Sequence, residues 1–523
     1  MSLENFATEL KGTFAAHAFV EGDGLAPYHA ATSGHERTIP LVVRPKDAAE
    51  VQALVRAARR HGTPLYPIST GKNWGLGSGL PVQSGNVVVD LSAMNQIGPV
   101  DERYGVVTVQ PGVTQAQLSQ HLLKTGSRFF LDVTGSGADT SVVGNTLERG
   151  VAYNSLRAEQ VLSVEVVLGT GEILKTGFAH FPESKIGALC RFGIGPDLGG
   201  IFLQSNLGIV VGLTIKLLPR PAAQAMFLVS LSAADLPAFF EAMRDLVQEG
   251  SLDTIVHVGN RRRSEITLTP LIYRQLLAAG LPASRAAAQA IADKQMRGEW
   301  SAIGVVAGTP GHVAESRRRV KAKLGRFGRL RFMTPKLLNV AKRASRLPGL
   351  SGLRMFLLGV EPLLRLPTGV PTSEALHSVY WPSADQSDHA DNPDLGSGGI
   401  AFCAPVLPLD GPTIRAAMDA TERVGASFGF QPAVTLNLMT DRTLEGVVSI
   451  DFSRADSVRR QKAKECLRAL NQAYVDLGCT PYRIDIDNMD LVMRPDDIFW
   501  TTIRAMKQVL DPDGIIAPGR YSL

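Results

Sequence analysis

Cysteine is scarce in this chain of 523 residues, which contains only Cys190, Cys403, Cys466 and Cys479. None of them forms a Cys-x-x-Cys pair or stands at a zinc-ligand spacing from a histidine, which argues against a disulfide framework and a structural zinc site. Long apolar runs are also lacking, since no window approaches the roughly 18 apolar residues that a membrane span needs. The N-terminus lacks a secretion-signal pattern, so we expect a cytoplasmic protein.

An excess of charge of either sign is absent as well. The 54 lysines and arginines stand against 49 aspartates and glutamates, a net charge of +5 that is too small over this length to indicate nucleic-acid binding. With 45% hydrophobic and 20% charged residues, the composition is typical of a globular protein large enough for several domains. A polar stretch, 384–394, which contains His389, is predicted to be a solvated loop, and we predict no metal site.

Short strands and helices alternate along the first 220 residues. Asp47 is predicted to cap a helix that buries Val51, Leu54 and Val55 on one face and ends at Gly62. The middle of the chain differs, with amphipathic helices at 235–249 and 459–477 and an alternating strand at 447–452. The sequence therefore predicts an α/β or α+β protein, with the best domain boundary at the prolines 219 and 221.

Two loops rich in small residues carry the first chemical signal. Residues 69–77 read STGKNWGLG, and their glycines allow successive backbone N–H groups to point toward one side and bind phosphate oxygens. The spacing is neither the dinucleotide fingerprint nor a Walker loop, and a plain glycine turn explains this loop about as well. A second such loop covers 133–150, and two of them in one domain favour a long ligand such as a dinucleotide.

Several ordered motifs together resemble the vanillyl-alcohol oxidase / p-cresol methylhydroxylase flavoproteins, in particular their 4-alkylphenol-oxidising, eugenol-oxidase-like branch. The segments that carry the resemblance are residues 44–51, 68–77, 89–95, 109–113, 144–150, 195–202, 204–208, 369–372, 403–406, 481–483 and 516–520. They keep the family's order over most of the chain, which is far more specific than any one of them.

The resemblance implies a two-subdomain FAD-binding domain of the p-cresol methylhydroxylase type and an α+β cap domain with an antiparallel sheet and helices. We expect the FAD-binding domain at 1–222, with its core at about 36–222, the cap at 223–476, and a return to the FAD-binding domain at 477–523. The residues expected to bind FAD are Ser69, Thr70, Gly71, Lys72, Asn73, Trp74, Gly75, Gly135, Ser136, Gly144, Asn145, Arg149, Gly208, Ile209 and Arg520.

The resemblance also implies three catalytic residues. Tyr482 and Arg483 match the pair that holds the substrate phenolate in this branch, where an arginine and a hydroxyl donor favour the anion. Electron release from the phenolate then helps a hydride to leave the benzylic carbon for flavin N5. Glu148 stands where the family's phenol oxidases carry an aspartate near the flavin, so it is expected to tune the flavin or act as an acid or base. By local sequence alone, Glu148 is as readily explained as a surface carboxylate. By the same standard, Tyr482-Arg483 is more readily explained as an ordinary strand pair than as a binding site.

Two departures from the family pattern affect these expectations. Leu76 occupies the place of a second phenolate-binding tyrosine, which favours a substrate other than a simple phenol or another group in the tyrosine's role. The stretch 443–452, where the oxidases carry a histidine that tethers FAD, has none, and Tyr380 is only a remote match for the tethering tyrosine of other members. We therefore predict FAD bound without a covalent link.

Three functions remain open from the sequence. The first is an FAD-dependent oxidase or dehydrogenase of a small aromatic substrate, for example a 4-alkylphenol. Its electron acceptor would be oxygen, a cytochrome or a quinone. The second is a flavin dehydrogenase of a hydroxy acid, an alcohol or a biosynthetic intermediate, and the third an electron-transfer flavoprotein. Family members are often dimers, so we expect a homodimer.

The basic segment at 312–346 carries twelve lysines and arginines and a single glutamate. It is predicted to be a solvated helical surface, or else a contact for an anionic membrane or an acidic protein.

Overall fold

The computed structural model describes residues 3–296, 298–382 and 392–522, so most of the predicted solvated loop, including His389, lies outside the described residues. The strands, in chain order, are β1 (Phe19–Val20), β2 (Val42–Val43), β3 (Leu65–Ile68), β4 (Val87–Asp90), β5 (Val106–Val109), β6 (Phe129–Phe130), β7 (Val161–Val167), β8 (Ile173–Lys175), β9 (Ile209–Lys216), β10 (Leu218–Pro219), β11 (Ala223–Leu231), β12 (Val256–Asn260), β13 (Trp300–Gly308), β14 (Arg329–Met333), β15 (Gly398–Pro408), β16 (Ala433–Leu438), β17 (Thr443–Ser453) and β18 (Pro481–Arg483).

Helices alternate with these strands throughout the described ranges. In chain order they are α1 (Leu3–Lys11), α2 (Ala48–His61), α3 (Gln115–Lys124), α4 (Val142–Leu147), α5 (Leu236–Gln248), α6 (Arg261–Ala278), α7 (Arg285–Gln295), α8 (Pro310–Leu324), α9 (Pro335–Ala344), α10 (Ser351–Leu364), α11 (His377–Tyr380), α12 (Gly411–Ser427), α13 (Ser457–Asp476) and α14 (Ile498–Leu510). The fold is α+β, as predicted.

The first 222 residues contain a two-stranded antiparallel sheet of β6 and β10 and two four-stranded sheets. One has the order β1-β2-β4-β3, with β2, β4 and β3 parallel, and the other is the antiparallel sheet β5-β9-β7-β8. Local signals set the helices beside them: the Asp47 side chain accepts from the Glu50 N–H at the start of α2, and Gly62 ends it at φ 62°. Thr114 and Gln117 form a capping box on α3.

The middle of the chain builds one eight-stranded sheet with the order β14-β11-β13-β12-β16-β17-β15-β18. One face packs on α5, α8, α12 and α13 around a core that includes Phe239, Val258, Leu436 and Ile450. The opposite face of β12, β16 and β17 carries polar side chains and lines a cavity. Because β18 is an edge strand of this sheet, we place the end of the proposed cap after Arg483 rather than at 476.

The C-terminal segment contacts the first sheet. Leu65 in β3 pairs in parallel with Ile516, through hydrogen bonds from the Leu65 N–H to the Ile515 carbonyl (2.8 Å) and from the Ala517 N–H to the Leu65 carbonyl (2.7 Å). This pairing brings Arg520 into the wall of the cavity, beside the first 222 residues. The end of the chain therefore contributes directly to the site.

The basic segment is not one helical surface, since β14 interrupts it and pairs with β11 at the edge of the large sheet. The prediction was right for α8 and α9 and wrong for β14. None of the side chains of α9 is buried, and Leu337 and Val340 are exposed beside its lysines and arginines. The alternative role of the basic segment 312–346, a contact for an anionic membrane or an acidic protein, stays a prediction. Within the described ranges, no helix is long and apolar enough to span a bilayer.

Candidate functional site

One cavity of about 450 Å³ lies between the two loops of small residues, the polar face of the large sheet and the C-terminal segment. Most of the predicted site residues line it. They are Ser69, Thr70, Gly71, Lys72, Asn73, Trp74, Gly135, Ser136, Gly144, Asn145, Glu148, Gly208, Tyr482, Arg483 and Arg520. The structure thus brings residues that are far apart in the sequence to one cavity.

The two loops contact each other directly. The Trp74 indole N–H donates to the Ser136 carbonyl (2.8 Å), and the Ser141 N–H donates to the Thr70 hydroxyl (3.1 Å). At Gly144 a Cβ atom would lie 2.2 Å from Ser69 Oγ, so a larger residue would require the Ser69 side chain to move. These contacts hold the two loops together in the wall of the cavity.

Three predicted residues do not line the cavity. Gly75 is buried within the first loop at φ +72°, and a Cβ atom there would lie 2.2 Å from the Phe402 ring. Arg149 is exposed, and Ile209 packs in the core at the start of β9. Gly75 therefore shapes the wall through Phe402, which itself lines the cavity.

The residues present fit a flavin dinucleotide. Among the described residues, the buried atoms Asn145 Oδ1, Asn206 Oδ1 and Arg520 Nη1 have no hydrogen-bond partner, and all three side chains line the cavity. Buried polar atoms without partners are rare in folded proteins and indicate a ligand that pairs with them. Acceptors and a cationic donor together suit a ligand that carries both a pyrophosphate and polar ring edges, as FAD does.

Glu148 is an ion-pair partner rather than a solitary surface carboxylate. Arg520 Nη2 lies 2.8 Å from Glu148 Oε1, the Tyr521 hydroxyl donates to Oε2 (3.1 Å), and Arg483 Nε lies 4.0 Å from Oε2. Burial alone would raise the pKa of Glu148, but the two arginines and the hydrogen bonds outweigh it and hold the pKa below its usual range. A carboxylate held ionised in this way is a poor proton donor.

Tyr482 and Arg483 lie on β18, and both residues line the cavity. The Tyr482 carbonyl accepts from the Gln204 amide (2.8 Å), and Arg483 Nη2 donates to Asn73 Oδ1 of the first loop. Arg483 Nε is buried and has no hydrogen-bond partner among the described residues. The guanidinium is therefore fixed between the cap and the first loop, with a donor left for an anion.

Sequence reasoning missed a polar group on the large sheet. His257, Asn437 and Glu445 line the cavity from β12, β16 and β17, and Arg263 reaches it from α6. The alternation of β17 was the available signal: Val448 and Ile450 point into the core, so Glu445 and Val447 must point the other way. The partners of Glu445 on the neighbouring strands could not be read from the sequence.

Comparisons with known proteins agree with this geometry. Residues 39–177 match a family model described as an FAD binding domain. The chain is 33% identical over 520 residues to the 1'-carboxy-chondrochloren decarboxylase of Chondromyces crocatus, which covers 98% of this chain and 95% of that protein. It is 25% identical over 522 residues to the 4-cresol dehydrogenase (hydroxylating) flavoprotein subunit of Pseudomonas putida, covering 97% and 93%. The crystal structure of p-cresol methylhydroxylase with substrate bound matches with a TM-score of 0.84 at 24% identity, covering 99% and 96%.

Proposed function

Because this chain belongs to the vanillyl-alcohol oxidase / p-cresol methylhydroxylase family of FAD-dependent oxidoreductases, we propose that it oxidises a small aromatic substrate at a benzylic or similarly activated C–H bond. The observation that carries the proposal is the position of Arg483. It lines the cavity together with both loops of small residues, and its Nε, which lies 4.0 Å from Glu148 Oε2, has no hydrogen-bond partner among the described residues. A phenolic oxygen beside this guanidinium would be held as the anion.

The residues of the chain supply binding and charge. Arg483 and Tyr482 orient the aromatic ring by its oxygen and stabilise the phenolate, whose electron release weakens the benzylic C–H bond. Leu76 is buried and adds apolar surface where a second hydroxyl donor was expected, so Arg483 carries more of the stabilisation. FAD, when bound, supplies the acceptor for the hydride.

The proposal is tested by anaerobic stopped-flow with the FAD-loaded protein and a panel of 4-alkylphenols, their methyl ethers and 2-hydroxy acids. We expect 4-alkylphenols to bleach the flavin and the methyl ethers to leave it oxidised, because an ether has no anionic form for Arg483 to stabilise. Reduction by 2-hydroxy acids alone would instead support the dehydrogenase of a non-phenolic substrate. Reduction only by a redox protein would support an electron-transfer role.

A second candidate, oxidative decarboxylation, is favoured by Arg263. This arginine lines the cavity, and its buried Nε has no hydrogen-bond partner among the described residues, so it could bind a substrate carboxylate. A 3-arylpropanoate would then lose its benzylic hydride and CO₂ together and leave an arylalkene. The relative from Chondromyces crocatus is named a decarboxylase. Release of CO₂ in step with flavin reduction, by a 3-(4-hydroxyphenyl)propanoate, would identify this reaction.

We further propose that FAD is held without a covalent bond. The described stretch 443–452 has no histidine, and Tyr380 is buried but does not line the cavity. After precipitation with acid, the yellow colour should therefore remain in the supernatant, because only non-covalent contacts are lost on unfolding. A flavoprotein with covalently bound FAD, treated in parallel, provides the control. Colour that stays with the pellet would refute the proposal.

The electron acceptor and the assembly are also proposals. Oxygen, a cytochrome and a quinone each fit an FAD oxidoreductase, and reoxidation of the reduced protein by each acceptor in turn will separate them. A homodimer is proposed from the family resemblance, and light scattering of the FAD-loaded protein measures it.

A further inference from the structure

Three polar side chains form a row across adjacent strands on the cavity face of the large sheet. The register pairs His257 of β12 with Asn437 of β16, and Asn437 with Glu445 of β17. His257 Nδ1 lies 2.7 Å from Asn437 Oδ1, and the Asn437 amide donates to Glu445 Oε2 (3.4 Å). With His257 as the donor in its bond, every hydrogen bond in the row runs toward the glutamate.

Both ends of the row are left without partners. Among the described residues, His257 Nε2 and Glu445 Oε1 are buried and make no hydrogen bond. Glu445 is 1% exposed and lines the cavity, so its second oxygen is available to a molecule bound there. Burying a carboxyl oxygen without a partner is unfavourable, which indicates that a substrate group completes the site.

Burial makes the Glu445 carboxyl group an unusually weak acid. It raises the pKa of the carboxyl to about 8, although the nearby positive charge of Arg483 and the Asn437 hydrogen bond both act to lower it. At neutral pH this group can therefore both accept and release a proton, as a catalytic base requires.

The ionisable groups around Glu445 leave it as the best proton acceptor in the cavity. Burial lowers the pKa of His257 to about 4, which keeps the imidazole neutral and weakly basic. Glu148 is ionised, but its two oxygens already accept hydrogen bonds from Arg520 and Tyr521. Arg483 on β18 and Arg263 on α6 are cations, and the residue opposite Glu445 on β15 is Val406.

We propose that Glu445 is the catalytic base that takes the proton of the substrate's phenolic O–H group as the phenolate forms beside Arg483. This inference rests on the function proposed above. In the step, the substrate O–H bond breaks, an O–H bond forms on the Glu445 carboxylate, and no electrons change hands. Glu445 and the substrate together carry one negative charge before and after the transfer, so burial does not oppose the step. Arg483 then faces the phenolate and a neutral carboxyl group.

The test measures the second-order rate constant for anaerobic flavin reduction by 4-ethylphenol, between about pH 6 and about pH 9.5, in E445Q and in the unaltered protein. In the unaltered protein the rate constant should rise about tenfold per pH unit and level off near pH 8, because only the ionised Glu445 is competent. E445Q should be about 100-fold slower at pH 8 and lose this dependence. E422Q, a substitution of an exposed glutamate on α12, should behave as the unaltered protein.

Two further measurements distinguish proton transfer to Glu445 from a structural role of this residue and from ionisation of the substrate itself. E445D retains a carboxylate, so it should keep a rising limb at a lower rate, which a purely structural role for Glu445 would not produce. A ring-fluorinated 4-ethylphenol is more acidic, and a midpoint that moved with the substrate would overturn the proposal. Folding of each variant is checked by its FAD content.

Failure of this inference differs from failure of the proposed function. If phenols reduce the flavin equally fast in E445Q, with the same pH profile, Glu445 is not the base, although the function stands. If no phenol reduces the unaltered protein, the proposed function itself fails, and the proposed role of Glu445 fails with it.

Discussion

Replacing Arg483 with methionine should slow flavin reduction by a 4-alkylphenol about 100- to 1,000-fold, the usual effect of removing a donor aimed at a developing or bound oxyanion. The guanidinium is held by Asn73 and lies 4.0 Å from Glu148, so its charge is fixed in the cavity before substrate arrives. Methionine keeps much of the volume and removes the charge and every donor. The phenol would then bind mainly in its neutral form, which releases a benzylic hydride poorly.

The same substitution should move the pH dependence. Arg483 lowers the pKa of Glu445, so its removal should raise that pKa above about 8 and shift the rising limb to higher pH. FAD content should change little, because Glu148 keeps its contacts with Arg520 and Tyr521. The measurement is single-turnover reduction across pH, with FAD content determined first.

R483K is the informative companion variant. Lysine keeps the charge but presents a compact ammonium group instead of a planar guanidinium group that can donate two parallel hydrogen bonds. We therefore expect an intermediate rate. A rate for R483M close to that of the unaltered protein would show that Arg483 does not hold the reacting oxygen. It would also remove the observation on which the proposed function depends.

Replacing Arg157 with methionine should destabilise the protein by about 3–5 kcal/mol, because two buried carbonyls each lose a hydrogen bond from a charged donor. Arg157 is fully buried and donates to the carbonyls of Asp132 and Val142. It also lies near the Asp132 carboxylate, whose charge acts to raise the pKa of Arg157 against the effect of burial. Without the arginine, the two carbonyls lose their donor, and the Asp132 carboxylate loses the positive charge near it.

The consequence should reach the FAD site, because Val142 begins α4 and Asp132 precedes the second loop of small residues. We therefore expect a lower FAD content together with a midpoint of thermal unfolding about 10 °C lower. R415M, which alters an exposed arginine on α12, is the matched control and should change neither. Unchanged unfolding in R157M would contradict the structural role assigned to this arginine.

The pH dependence of this defect follows from the same pair. Burial raises the pKa of Asp132, which hydrogen bonds and the charge of Arg157 act to lower. Removing Arg157 should raise that pKa further, so the folded variant takes up a proton at a higher pH than the unaltered protein. Its loss of stability should therefore be largest at alkaline pH and shrink as the pH falls. Thermal unfolding across pH measures this difference.

Local signals predicted much of the chain correctly. Asp47 and Gly62 bound α2, and Thr114 with Gln117 starts α3, because a cap depends on hydrogen bonds within a few residues. The two loops of small residues were identified for a similar reason, since glycine permits a backbone path that other residues resist. The prolines 219 and 221 lie where the chain passes from β10 to β11, and the domain boundary at this point stays a prediction.

The polar row of the large sheet was not predicted. His257 and Asn437 are 180 residues apart, and nothing in either local sequence marks them as neighbours. The acidity of Glu445 depends on burial and on Arg483, which reaches it from a strand 38 positions later along the chain. The positions of Arg149 and Ile209 could not be read from the sequence either: the motifs suggested them as FAD ligands, but neither residue lines the cavity.

The amino-acid sequence alone therefore determined the α+β class, the helix ends, the small-residue loops and the membership in a flavoprotein family, since each follows from short-range stereochemistry or from motifs in a fixed order. Strand register and burial decided which side chains share the cavity, which of them are paired, and which carry a proton at neutral pH. These properties depend on the distance and the dielectric environment between residues far apart in sequence, and the chain acquires both only when the sheets assemble.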